Sequence, residues 1–115
     1  MRKTLVDSKV SNLAQESMNR FHAATIGEVE QAIQNNEWVI VGMAQNPVVT
    51  KARGLLKEKN ISFNYLEYGS YFSKWKQRLA IKLWSGWPTF PQVFHKGVLI
   101  GGHSDLVKYL NAKQN

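Results

Sequence analysis

The 115-residue chain contains no cysteine. It can form no disulfide, and it offers neither a thiolate nucleophile nor a thiolate metal ligand. Small secreted domains lean on disulfides, so the cytoplasm is the expected location. Three prolines and eight glycines are too few for a collagen-like or low-complexity chain. No apolar run approaches the roughly 18 residues of a membrane span. The start, Met1-Arg2-Lys3-Thr4-Leu5, runs into Asp7, Ser8 and Lys9, so no secretory leader is expected. No metal site is expected, because His22, His95 and His103 have no paired metal-ligand spacing.

Acidic residues are scarce, with eight against fifteen Lys and Arg, which leaves a net charge of +7. Between Lys51 and Lys82 the only acids are Glu58 and Glu67. Such a segment suits a nucleic acid, an anionic lipid surface or an acidic protein, and equally an ordinary solvated face. Lysines interleave with Trp75 and Trp84, which core packing beneath snorkelling lysines explains most simply.

The length suits one compact domain, and 43% hydrophobic residues can fill its core. Val6, Val10, Leu13, Met18 and Phe21 predict an amphipathic helix over 4–22. A break is expected near Ala24-Thr25, with Thr25 and Glu28 forming a capping box for a second helix over 26–35. Residues 1–24 are thus set apart as a helical extension from a domain over 25–115. The extension could pack on its own domain, on a second copy or on a protein partner.

Trp38-Val39-Ile40-Val41 predicts a strand buried on both faces. Pro47 suits the first turn of a helix that runs to about Lys59. Ile61, Phe63 and Tyr65 alternate as in a strand, and a helix is expected over Tyr71–Leu83. Val93-Phe94 and Val98-Leu99-Ile100 flank a turn at Lys96-Gly97. The last helix is expected over Ser104–Ala112, with His103 or Ser104 as its N-cap. From residue 26 the order αβαβαββα specifies an α/β fold, with a mixed four-stranded sheet flanked by helices.

Two segments carry the functional signal: Trp87-Pro88-Thr89-Phe90-Pro91-Gln92-Val93-Phe94 and Gly101-Gly102-His103-Ser104-Asp105. The second places a glycine pair before a helix start, where the backbone can approach a ligand and free N–H groups face a carboxylate. Asp105 could hold an ammonium group, and capping alone also accounts for such a segment. His103 could contact an anion or be a plain surface residue.

With Gly97, and with Arg78 nine residues before Trp87, these segments resemble glutaredoxins of the monothiol type over about Gly27–Leu110. The resemblance implies a thioredoxin-like three-layer fold, with an extra helix at the N-terminus here. It implies a cis bond before Pro91 and a groove for glutathione or an extended peptide lined by Arg78, Thr89, Phe90, Pro91, Gly102, His103, Ser104 and Asp105. Arg78 would grip one carboxylate of glutathione, and the backbone of Phe90 would pair with the ligand. Where the family carries its nucleophile the chain has Asn46, and at the resolving position it has Val49. Met43 stands in place of a family lysine. No catalytic residue is assigned, and no iron–sulfur cluster is expected without a cysteine.

The first reading is a cysteine-less glutaredoxin-like protein, tied to cell redox homeostasis, that keeps the groove and has no thiol–disulfide oxidoreductase activity of its own. The alternatives are a glutathione-dependent oxidoreductase or transferase that uses the thiol of glutathione, and a basic nucleic-acid-binding module. Glutathione or an extended peptide is the expected partner; nucleic acid ranks last, and no membrane partner is expected.

Overall fold

The computed structural model describes residues 12–114, with side chains from 23 to 112. Helix α1 spans Asn12–Asn35, β1 Trp38–Gly42, α2 Pro47–Glu58, β2 Asn64–Glu67, α3 Trp75–Ser85, β3 Gln92–His95, β4 Val98–Gly101 and α4 His103–Gln114. The sheet order is β2-β1-β3-β4. Strands β1 and β2 run parallel, whereas β3 is antiparallel to both β1 and β4.

Every residue of β1 is buried, as its continuous apolar run requires for a central strand. Alternation divides its side chains between two cores. Val39 and Val41 join Ile26, Val29, Ile81 and Phe94 on the α1/α3 face. Trp38 and Ile40 join Ala52, Leu56, Leu106 and Leu110 on the α2/α4 face. The result is a three-layer fold with helices on both sides of the sheet.

The expected break at Ala24-Thr25 is absent. Helix α1 runs 24 residues without interruption, although residues 4–11 of the predicted first helix lie outside the described residues. Thr25 is buried inside the helix instead of capping it, and Glu28 accepts a hydrogen bond from the Tyr68 hydroxyl instead of closing a box. Ala23 and Ala24 favour helix strongly, and burial of Ile26, Val29 and Ala32 outweighs a local capping preference.

Strand β2 starts at Asn64, three residues later than Ile61 suggests. The Ile61 N–H is committed to Leu56 O at the end of α2, and Asn60 takes a left-handed turn with φ of 59°. Helix α3 likewise starts at Trp75, not Tyr71, because Ser70 and Ser73 hold residues 70–73 in a turn. Lys96 and Gly97 both have positive φ, as a tight hairpin turn needs.

Candidate functional site: the loop rim of the sheet

The register fixes which loops meet. The end of β1 lies beside the end of β2 through Gly42↔Glu67 and beside the start of β3 through Val41↔Gln92. The start of β3 lies beside the end of β4 through Val93↔Gly101. One rim therefore carries the loop into α2, the loop into α3, the Trp87–Pro91 loop and the start of α4.

Asn46 sits on this rim as the N-cap of α2. Its Oδ1 accepts from the N–H of Val48 at 2.9 Å and of Val49 at 3.1 Å. With φ of −109° and ψ of 113° it has the extended backbone of a cap, and Pro47 fills the first helical position. The side chain thus saturates donors at the positive end of α2, which would otherwise face an anion. An amide there is no nucleophile.

Val49 points away from the rim into the α1/α3 core. A Cβ at Gly42 would come within 2.6 Å of its Cγ1, so Gly42 lets the end of β1 close on α2. Met43 is buried in the same core. Neither can touch a ligand by its side chain.

The two motif segments meet. A Cβ at Gly102 would lie 3.7 Å from Pro91 O and 3.8 Å from Trp87 Nε1. The Phe90–Pro91 bond is cis. Phe90 buries its ring in the core, while its backbone precedes the ladder that begins at Gln92 opposite Val41. Thr89 is exposed beside it. Gln92, which the sequence reading passed over, is fully buried and holds the loop: its Nε2 donates to Trp87 O at 3.1 Å and Thr89 O at 3.4 Å. A glutamine set between the Pro91 turn and the apolar Val93-Phe94 pair was the available signal.

The N-cap of α4 is Gly102, one residue before the range expected, because His103 is already helical. Asp105 occupies the third helical position, and its Oδ2 reaches back 3.0 Å to the Gly102 N–H, as in half of a capping box. Gly101 has φ of 125°, and a Cβ there would fall 2.7 Å from the Asp105 carboxyl carbon. Asp105 is therefore first a brace of the loop, through one of its two carboxylate oxygens. Ser104 is exposed and His103 half-buried beside it, where the first backbone N–H groups of α4 lack intrahelical acceptors.

Arg78 departs from its expected role. It is buried, and its Nη1 donates to Tyr68 O at 2.9 Å and Ser73 O at 2.5 Å. A guanidinium can bridge two carbonyls in this way, and here it pins the loop into α3 instead of standing free to grip a carboxylate. Sequence spacing placed it on the correct helix but could not say which way it faces.

The glutaredoxin family model matches residues 47–100. A glutaredoxin-like protein of Dictyostelium discoideum is 50% identical over 109 residues, covering 95% of this chain and 88% of that protein. The chain belongs to the glutaredoxin family. A mitochondrial glutaredoxin-2 of Bos taurus is 28% identical over 103 residues, 85% of this chain and 62% of that protein. The crystal structure of a buckwheat glutaredoxin–glutathione complex superposes with a TM-score of 0.72 at 18% identity, over 83% of this chain and 86% of that one. That likeness establishes the thioredoxin-like fold.

In this glutaredoxin-family chain the residues do not fit a cluster site. It supplies no cysteine, and position 46 is an amide already engaged with its own helix. Iron–sulfur clusters are held by thiolates, and none comes from this chain.

Proposed function

We propose that this member of the glutaredoxin family is a glutathione- or peptide-binding module whose rim recognises a ligand without attacking it. The observation that carries the reading is the Asn46 cap, which sits where the family's nucleophile belongs, beside a rim where Pro91 and Gly102 lie in near contact. The backbone of Phe90, outside the ladder, would pair with an extended ligand as one more strand pairs with a sheet. The start of α4 would take a carboxylate, and the second Asp105 oxygen an ammonium. Buckwheat glutaredoxin, whose crystal structure is a complex with glutathione, shares this fold and supports glutathione as the first ligand to test. Cytoplasmic location belongs to the same proposal.

A second reading rests on the orientation of Asn46. With Oδ1 turned to the helix, its Nδ2 donors are the atoms it can offer to a ligand sulfur. Glutathione would then be the reacting thiol, held by a residue that itself forms no bond.

Calorimetric titration with glutathione, beside a disulfide-reduction assay on the unaltered chain and on Asn46→Cys, separates these readings. Binding by both proteins with reduction only by the variant is expected. Failure of both to bind overturns the groove, and glutathione-dependent turnover by the unaltered chain favours the second reading.

A further inference from the structure

Lys74, Trp75 and the turn before them extend from the rim to a face that none of the proposed glutathione contacts occupies. Trp75, Leu79 and Leu83 recur every four residues on α3, and all three are exposed. Phe72, at the tip of the loop into α3, is 93% exposed, and Tyr71 beside it is 58% exposed. Exposed lysines border these groups: Lys74 next to Trp75, and Lys76 with its Nζ 5.7 Å from the Trp75 ring centroid. The expectation that Trp75 packs in the core is corrected, since more than half of it meets solvent.

The loop is built to hold this shape. Arg78 ties Tyr68 O and Ser73 O together. Ser73 Oγ accepts from the Ser70 N–H, and Ser70 Oγ accepts from the Phe72 N–H. Gly69 has φ of 68°, and a Cβ there would strike Ser73 O at 2.5 Å. Buried Arg78 and the more exposed Ser70 and Ser73 thus hold a loop whose aromatic rings face outward. Large exposed apolar side chains gathered on one loop and one helix stripe point to an interaction surface.

We propose that the Tyr71–Trp75 loop and the exposed stripe of α3 dock on an anionic lipid surface. Charge and shape both select this occupant. Lysines among the aromatic residues disfavour a second copy of the same basic face. A peptide helix needs a groove and an added strand needs a sheet edge, whereas Phe72 stands 93% exposed on a turn. A bilayer interface accepts projecting rings at headgroup depth and rewards nearby lysines when its lipids are anionic. Single-stranded nucleic acid uses a groove that follows its backbone, and the stripe offers aliphatic Leu79 where bases would stack. No described helix is long and apolar enough to cross a membrane, but surface docking needs none; the proposal runs against the expectation of no membrane partner. The loop shares the rim with the proposed groove, but its test needs no glutathione, so failure here and failure of the groove reading are distinguishable.

The test is co-sedimentation of the full chain with phosphatidylcholine vesicles, with and without phosphatidylserine, read beside the blue shift of tryptophan fluorescence. Association only with phosphatidylserine vesicles is expected, reduced at least about tenfold in Phe72→Ser/Trp75→Ser and weakened by salt. Thermal melting followed by circular dichroism checks that the variant folds, as substitution of exposed side chains should allow. No association with either vesicle overturns the proposal. So does association that survives the double substitution, which would reflect net charge alone, or equally tight binding of polyglutamate or oligodeoxythymidine through the same residues.

Discussion

At the end of the sheet opposite the rim, His95 lies buried between Glu37 and Tyr109. Its Nε2 is 3.0 Å from Glu37 Oε2, and its Nδ1 is 2.6 Å from the Tyr109 hydroxyl. Its ring stacks on Trp38 at 4.0 Å between centroids. An ionised carboxylate only accepts, so Nε2 donates to Glu37, and a neutral ring then accepts from Tyr109 at Nδ1. Both ring nitrogens are engaged inside the protein. At the rim, Asn46 and Asp105 are also engaged, but each keeps a second polar atom on a half-exposed side chain. Polar side chains thus mark both ends, and only geometry tells packing from recognition. Two open hollows of about 600 and 510 Å³ flank the His95 end. Among the described residues, Glu37 and Lys96 are the only charged ones lining them, so volume alone is a poor guide to function.

The largest effect should come from emptying the closed end. His95→Ala removes the ring that stacks on Trp38 and its hydrogen bond with the Tyr109 hydroxyl, so about 3 kcal/mol of stability should be lost in urea denaturation. Glutathione affinity, where the groove reading holds, should change little. The converse comes from the rim. Gly101→Ala forces a side chain into φ of 125° against Asp105, and a loss of about 2 kcal/mol is expected. Here ligand affinity should fall together with stability, because the start of α4 shifts.

Asn46→Ala should cost about 1 kcal/mol through the lost cap, while Asn46→Asp should keep the cap and complement the helix dipole. Thermal melting of the two variants checks the order. The smallest effect concerns Tyr65, on the strand leading to the rim. Burial, then the hydrogen bond to Glu67, raises its phenol from 10.0 to about 12. A raised folded value means the folded state holds this proton more tightly. Its contribution is complete below the unfolded value of 10.0 and is lost as pH rises through about 12. Tyr65→Phe should flatten the alkaline decline in that window, read as melting temperature against pH.

Much of this organisation was legible in the residues. The apolar run of β1, the Pro47 helix start and the Lys96-Gly97 turn carry local signals strong enough to survive tertiary context. The two motif segments gave the rim. What failed was orientation. Thr25 looked like a cap because the apolar face of α1, which carries the helix past it, is decided by packing. Arg78 looked like a ligand clamp because spacing cannot report that Tyr68 O and Ser73 O wait for it inside. His95 stayed a lone histidine because Glu37 and Tyr109 are distant in sequence and join it only through the β1–β3 register and α4.

The Asn46 cap also sets a competition. An anion approaching the start of α2 meets an acceptor on a tether of a few bonds, whose effective concentration far exceeds that of any free solute. The chain in this sense carries its own inhibitor at one helix end. Under the proposed reading, a ligand with a negative group would be left the start of α4, and its direction along the rim would follow from which of the two helices is already taken.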